Sequence, residues 1–320
     1  MSTALEWRGT RALVTGASGF IGSHLSRRLV SLGAEVHAVS RRAPAEGTAT
    51  GEHWHVADLR DGEATAELVR AARPDVIFHL ASEVTGVRDV KLVLPMMHAN
   101  LLSAVHLMTA AADSPPTRVV LAGSIEEPRR ADPTPPSPYA VAKWAATSYA
   151  RLFHALWGVQ VTVLRVAMVY GPGQQDTTKL VPYATLSLLR GHAPRVSSGT
   201  RLVDWVYVDD VVDAFVTAGT AAAAARAGGQ AVDVGSGVAV SIRDVVEQLT
   251  TIVGTPLRPR YGAIPDRPLD SARIADLPPA ADLLGWRPVT GLEEGLRRTV
   301  DWYAEHQLCP DLRSHPSYVS

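Results

Sequence analysis

Arg11-Ala12-Leu13-Val14-Thr15-Gly16-Ala17-Ser18-Gly19-Phe20-Ile21-Gly22 decides how the rest of this 320-residue chain is read. Residues 11–15 form a short apolar run that halts at glycine, the pattern of a strand buried on both faces of a parallel sheet. Beyond the glycines, Ile21, Leu25, Leu29 and Leu32 recur at three- and four-residue intervals, which predicts a helix that Gly33 closes. The alternation then continues. Apolar and β-branched runs predict strands at 35–40, 54–58, 75–80, 118–122 and 159–165, and helical periodicity marks 62–72, 100–112 and 139–157. Each parallel crossover needs a connection that is usually a helix, so the reading is α/β: a doubly wound parallel sheet, covered on both faces.

After Tyr170-Gly171-Pro172-Gly173 the pattern loosens into polar loops, short strands and helices. Residues 1–172 are expected to form most of the doubly wound domain. Residues 173–309 are expected to form mainly a smaller lobe over the C-terminal edge of the sheet, with some elements returning to it, and 310–320 a tail. The prolines at 256, 259, 265, 268, 278 and 279 predict extended connections, whereas the alanine run 221–225 reads as a packed helix. A hydrophobic content of 46% with 20% charged residues and a net charge of −1 describes a globular chain with a substantial core. That charge offers no electrostatic case for nucleic acid or an anionic membrane surface. The single cysteine, Cys309, allows no intramolecular disulfide and no cysteine-based zinc site. With no basic N-terminal segment leading into an apolar run, and no continuous apolar window of membrane-spanning length, the expectation is a cytoplasmic protein.

The glycines at 16, 19 and 22 sit between a strand and a helix, the context in which this spacing binds a dinucleotide. The first permits the turn, the second lets a pyrophosphate approach the backbone, and the third lets helix and strand pack closely. Ser18, Phe20 and Ile21 complete that turn. An acidic residue at the end of the second strand would bind the adenosine ribose hydroxyls. This chain has Ser40-Arg41-Arg42 instead, which suits a 2′-phosphate and favours NADP(H) over NAD, though two solvated arginines at a strand end are the simpler alternative. Asp58 could accept a bond from the adenine amino group or cap the helix that follows. In Tyr139-x-x-x-Lys143 two polar groups share one helix face, and a lysine ammonium beside a phenol lowers the phenol's pKa toward working pH, as a general acid/base requires.

Taken together, Thr15–Gly22, Asp58-Leu59, His79-Leu80-Ala81, Ser124, Tyr139-x-x-x-Lys143 and Arg165-x-x-x-x-Tyr170-Gly171-Pro172 resemble the extended short-chain dehydrogenase/reductases. Within them the chain is most similar to the NAD-dependent epimerase/dehydratase group that acts on nucleotide sugars. Asp204-Trp205-Val206-Tyr207-Val208-Asp209-Asp210, Asp266-Arg267-Pro268 and Leu284-Gly285-Trp286-x-Pro288 extend the resemblance over nearly the whole chain. It implies a dinucleotide held also by Leu59, Leu80 and Ala81. It further implies Tyr139 as proton donor or acceptor for a sugar oxygen, Lys143 as the group that tunes Tyr139 and bonds the nicotinamide ribose, and Ser124 as a second donor to the same oxygen. Asn100 matches a family asparagine beside this group, or simply caps a helix starting there. A homodimer through the helices 100–112 and 139–157 is also implied.

Departures from the family pattern narrow the expected chemistry. The 4,6-dehydratases carry Asp-Glu directly after the Ser/Thr position, where this chain has Ile125-Glu126, so elimination of water loses its acid while Glu126 keeps a polar role toward substrate. Pro128-Arg129 replaces the usual Tyr-Gly, and Met168 replaces a common asparagine. Arg201, two residues before Val203, and Arg267 are the candidates for a substrate diphosphate, unless they are solvated surface residues; Lys179-Leu180 matches a family substrate loop. The expectation is NADPH-dependent reduction of a keto group, most plausibly C4, on a nucleotide-linked 4-keto-6-deoxy sugar, with thymidine diphosphate as the expected nucleotide. The alternatives are a nucleotide-sugar 4-epimerase with tightly bound NAD and a non-catalytic NADP(H) sensor.

Overall fold

The computed structural model describes residues 6–43, 51–85, 87–114, 116–129, 134–266 and 272–308. The chain runs through β1 (Arg11–Thr15), α1 (Phe20–Ser31), β2 (Glu35–Ser40), β3 (His53–Val56), α2 (Gly62–Ala72) and β4 (Val76–His79). It continues with α3 (Val90–Ala112), β5 (Arg118–Ser124), α4 (Pro138–Trp157), β6 (Gln160–Val166) and β7 (Met168–Tyr170). The remaining elements are α5 (Leu180–Leu189), β8 (Leu202–Tyr207), α6 (Val208–Ala218), α7 (Ala221–Ala227), β9 (Ala231–Val234), β10 (Ala239–Ser241), α8 (Ile242–Val253), α9 (Pro278–Leu284) and α10 (Leu292–Leu308).

Seven strands form one sheet in the order β3-β2-β1-β4-β5-β6-β9, and every pairing in it is parallel. Side chains alternate across it: Ala12 and Val14 join one buried cluster, Leu13 the other. Helix therefore covers both faces, as the apolar strand runs require. The strand order reverses between β1 and β4, which opens a crevice beyond their carboxyl ends, the usual ligand position in such sheets. A second sheet, β10-β8-β7, is built from the later part of the chain, while β9 returns to the main sheet beside β6.

Several boundaries differ from the sequence expectation for local reasons. β5 runs two residues further than its apolar stretch because Gly123 and Ser124 still pair with Arg165 and Val166 of β6, and this puts Ser124 at the strand end. β3 stops at Val56; Ala57 still donates its N–H to Ser40 O (3.1 Å), and Asp58 turns back onto Arg60. The helix 139–157 begins one residue earlier: Ser137 caps it through Ala140 N (3.2 Å), and Pro138 occupies its first turn. Pro278 and Pro279 do not mark an extended connection. They start α9, where the missing N–H costs nothing. The alanine run does form a helix, capped by Thr220, with Ala223, Ala224 and Ala227 buried.

Asn100 caps nothing. It lies buried inside α3, in the π-helical stretch Met97–Leu102, in a helix that starts ten residues earlier than its periodicity suggests. By length and composition α3 could cross a membrane, yet it packs against α2 and α4, with Leu107, Met108 and Ala111 in the core. Arg267, Pro268 and the tail 310–320 lie outside the described residues.

Candidate active site

The turn after β1 is shaped by backbone contact. Gly16 has a φ of +68°, and a Cβ there would stand 2.8 Å from Ala81 N; a Cβ on Gly22 would stand 2.1 Å from Gly16 O. Gly19 then caps α1 without a side chain, leaving the opening N–H groups of the helix for a phosphate. The cleft beside this turn is lined by Gly16, Ser18, Gly19, Ser40, Arg41, Asp58, Leu59, Leu80 and Ala81, all of them expected from the sequence. Among the expected cofactor residues, Phe20 and Ile21 instead pack against the core at the head of α1, and Gly22 serves the close helix-to-turn contact. The Ser40 hydroxyl donates to the Arg42 carbonyl, while Arg42 points outward and does not line the cleft.

Two further charges reach the cleft that the sequence did not single out. Arg60 donates through Nε to both carboxylate oxygens of Asp58 (2.9 and 3.0 Å), which holds the Asp58 pKa down at about 2. Asp58 is thus engaged with Arg60, and the cap of α2 is Asp61, which accepts from Glu63 N and Ala64 N. Glu83 pairs with Arg41 at 3.2 Å and takes its position from Asn100, whose Oδ1 accepts from Ser82 Oγ (2.6 Å) and Glu83 N (3.0 Å). The spacing Asp58-x-Arg60 was the available signal for the first; Glu83 and Asn100 are brought together only by α3.

Deeper in the crevice, Thr15 Oγ1 accepts from Ala81 N (3.2 Å) and is hydrogen-bonded to His79 Nδ1 (2.8 Å). Burial lowers the His79 pKa to about 3, with the nearby Lys143 charge adding to it, so the imidazole is neutral.

Ser124 at the end of β5, Tyr139 in the first turn of α4 and Lys143 one turn later converge as the spacing predicts. The Ser124 side chain lies close enough to the Tyr139 phenol to lower its pKa, and Ser124 Oγ accepts from Glu126 N (3.2 Å). Lys143 is buried, donates to Ala122 O (2.8 Å), and has its Nζ 5.9 Å from the Tyr139 ring centre. The electrostatics depart from expectation. Burial raises the Tyr139 pKa, Ser124 lowers it, and Glu126 and Glu127 raise it further; Lys143 is not among the groups that lower it. Lys143 is itself pushed down by burial to about 8, against the opposing pull of Glu127. The lysine therefore does not tune the phenol in the protein alone, because its ammonium is turned to a backbone carbonyl.

The substrate-side residues are more scattered. Lys179 precedes α5, paired with Asp176 at 3.7 Å, and Leu180 opens that helix. Arg201 stands just before β8, its carbonyl accepting from Ile242 N (3.0 Å). Arg129, in place of the family glycine, donates to the buried Asp233 (2.8 Å) and to Ile274 O (3.1 Å), so this loop is pinned to the end of β9. Gln175 Nε2 donates to Ser18 O (3.2 Å), joining the stretch after β7 to the dinucleotide turn.

Comparison with known proteins agrees with this geometry. The family model of the NAD dependent epimerase/dehydratase family matches residues 12–235. The chain is 34% identical to a UDP-glucose 4-epimerase of Mycolicibacterium smegmatis, over 92% of this chain and 98% of that one. It is 33% identical to a dTDP-6-deoxy-L-talose 4-dehydrogenase (NAD(P)(+)) of Kitasatospora kifunensis, over 95% and 98%. Among solved structures, MoeE5 in complex with UDP-glucose and NAD superposes with a TM-score of 0.79 at 33% identity, covering 93% of this chain and 99% of that one. The cradle at Gly16 and Gly22, which a Cβ would fill, and the bare helix start at Gly19 fit the nicotinamide dinucleotide that this group of enzymes uses. This chain is an extended short-chain dehydrogenase/reductase, an enzyme of the NAD dependent epimerase/dehydratase family.

Proposed function

We propose that this enzyme uses NADPH to reduce the C4 keto group of a nucleotide-linked 4-keto-6-deoxy sugar, with thymidine diphosphate as the preferred nucleotide. The observation that carries the reading is the adenosine end of the cleft, where Ser40 replaces an acidic residue at the end of β2 and Arg41 and Arg60 both line the wall. A 2′-phosphate would exchange the exposed Arg41–Glu83 pair for a charge-assisted contact, whereas a ribose diol would find no carboxylate at the strand end. Ile125, buried at the position of the dehydratase acid, removes the group that elimination requires. The dehydratase-like outcome is thereby disfavoured.

When bound, the dihydronicotinamide supplies a hydride to the carbonyl carbon. Tyr139 donates its proton to the carbonyl oxygen as that oxygen gains charge, and Ser124 donates a second hydrogen bond to the same oxygen. Lys143 would hold the nicotinamide ribose, and its ammonium, released from the Ala122 carbonyl toward the phenol, would favour proton release. The phenolate left behind is reprotonated from solvent, so each turnover consumes one NADPH and one proton. Glu126, Lys179, Leu180, Arg201 and Arg267 are assigned to the substrate side. The test is stoichiometric loss of NADPH absorbance with a nucleotide-linked 4-keto-6-deoxy sugar. Absence of any NADPH oxidation, with interconversion of C4 epimers and no added cofactor, sinks the reductase and leaves the second reading, a 4-epimerase. That reading is favoured by the identity with the Mycolicibacterium enzyme.

The same proposal includes a homodimer. Leu94 of α3 and Trp144 and Leu156 of α4 are 63%, 46% and 64% exposed on two helices packed side by side, an apolar face suited to pairing with a second copy. Trp144→Glu together with Leu156→Glu is expected to give a monomer by light scattering where the unchanged chain gives a dimer.

A further inference from the structure

Glu127 is a carboxylate that the proposed chemistry leaves unused. It is only 2% exposed. Its Oε1 accepts from Ser124 N (2.8 Å) and its Oε2 from Thr147 Oγ1 (2.8 Å), while its own N–H donates to Ser124 O (3.1 Å). Thr147 follows Lys143 by one helical turn and Tyr139 by two, so the carboxylate bridges the turn that carries Ser124 to the face of α4 that carries the other two groups. Gly123 makes room for it: a Cβ there would stand 2.6 Å from Oε1. A buried acid with both oxygens satisfied, at the junction of the turn after β5 and α4, has a task beyond packing.

We propose that Glu127 is a positioning residue, whose carboxylate fixes the Ser124 turn against α4 and supplies the counter-charge for Lys143. Charged and titratable groups surround it on every side: Tyr139 and Lys143 from α4, Arg165 from β6 with Asp233 of β9 behind it, Glu126 from its own turn, and His79 of β4 beyond Lys143. Burial raises the Glu127 pKa, while the Ser124 and Thr147 hydrogen bonds, Arg165 and Lys143 work to keep it ionised. Its charge in turn raises Lys143, opposing the burial that lowers that lysine to about 8. The same charge raises Tyr139, so Glu127 keeps the proton on the phenol as well as on the ammonium.

The inference rests on the proton-transfer reading of Ser124, Tyr139 and Lys143, and its main test needs no substrate. Lys91, Lys143 and Lys179 are the only lysines of the chain, so lysine labelled with carbon-13 at Cε gives three NMR signals that are followed through an alkaline titration. Glu127→Gln keeps the shape, since Oε1 still accepts from Ser124 N and Nε2 donates to Thr147 Oγ1, and it removes only the charge. The Lys143 midpoint is expected to fall by about one unit, with Lys91 and Lys179 unmoved. The alkaline limb of kcat/KM is expected to move the same way. Glu127→Asp keeps the charge and loses the reach; kcat is expected to drop about tenfold or more at unchanged substrate KM, with the Lys143 midpoint in place. A Lys143 midpoint that stays put in Glu127→Gln overturns the counter-charge role even if the enzyme turns out to be an epimerase. Full kcat in Glu127→Asp overturns the positioning role, and does so even if Glu127→Gln does not fold.

Discussion

The turn at Gly16 and the Ser124–Tyr139–Lys143 centre stand at the same edge of one sheet, yet they are held by different physics. At the turn, the geometry is set by what the backbone excludes: neighbouring main chain approaches so closely that Gly16 and Gly22 admit no side chain. At the proton-transfer centre, the geometry depends on side chains from β5 and α4 that meet across buried charge, with Lys143 bonded to Ala122 O and Glu127 spanning the two elements. A steric site admits no added atom but needs no tuning. An electrostatic site depends on both reach and charge, and its pKa values belong to the assembly rather than to any residue.

Tyr139→Phe probes the electrostatic side most sharply. Removing the proton donor is expected to lower kcat about a thousandfold while cofactor affinity, followed by fluorescence titration, stays within a factor of two or so. Equal losses in both would mean that the phenol serves structure, and the contrast between the two regions would collapse. Gly22→Ala probes the steric side. The added methyl meets Gly16 O and is expected to cost about 2 kcal/mol or more of stability, read in a denaturant titration, together with loss of dinucleotide binding. An alanine accepted at full stability would show that the turn can relax.

A pH profile separates the regions again. Lys143 acts as an ammonium and its pKa is lowered by burial to about 8, so it loses its proton as pH rises through that value. Because kcat/KM reports the free enzyme, it is expected to be level on the acid side of that midpoint and to fall above it, whereas the steric cost of Gly22→Ala follows no such limb. The smallest effect is expected at the rim. Arg41→Ala should raise the KM for NADPH about tenfold and leave that for NADH unchanged, a difference that disappears if Arg41 serves only its exposed pair with Glu83.

Local pattern made β1, β2 and α2 readable almost to the residue, because apolar periodicity and turn glycines act within a few positions of each other, although the cap of α2 is Asp61 and not Asp58. Most of the contacts it missed join distant segments. Asn100 looked like a cap because its sequence neighbourhood contains the start of a clear helical period, but its partners are Ser82 and Glu83, supplied by the loop after β4. Arg60 was two residues from a recognised position, yet only the turn back onto Asp58 brings it to the cleft. The shared helix face of Lys143 and Tyr139 was legible as a spacing, whereas the bond from the ammonium to the Ala122 carbonyl was not, since spacing on a helix says nothing about which carbonyl lies nearer to the ammonium.

What the sequence determined by itself was the doubly wound sheet, the dinucleotide turn and the shared face of Tyr139 and Lys143, all consequences of short-range sterics and periodicity. Only the tertiary structure decided the state of those groups. Burial, the Ala122 carbonyl and the Glu127 carboxylate are contributed by segments the helix does not contain, and the cost of removing charge from water depends on that whole enclosure.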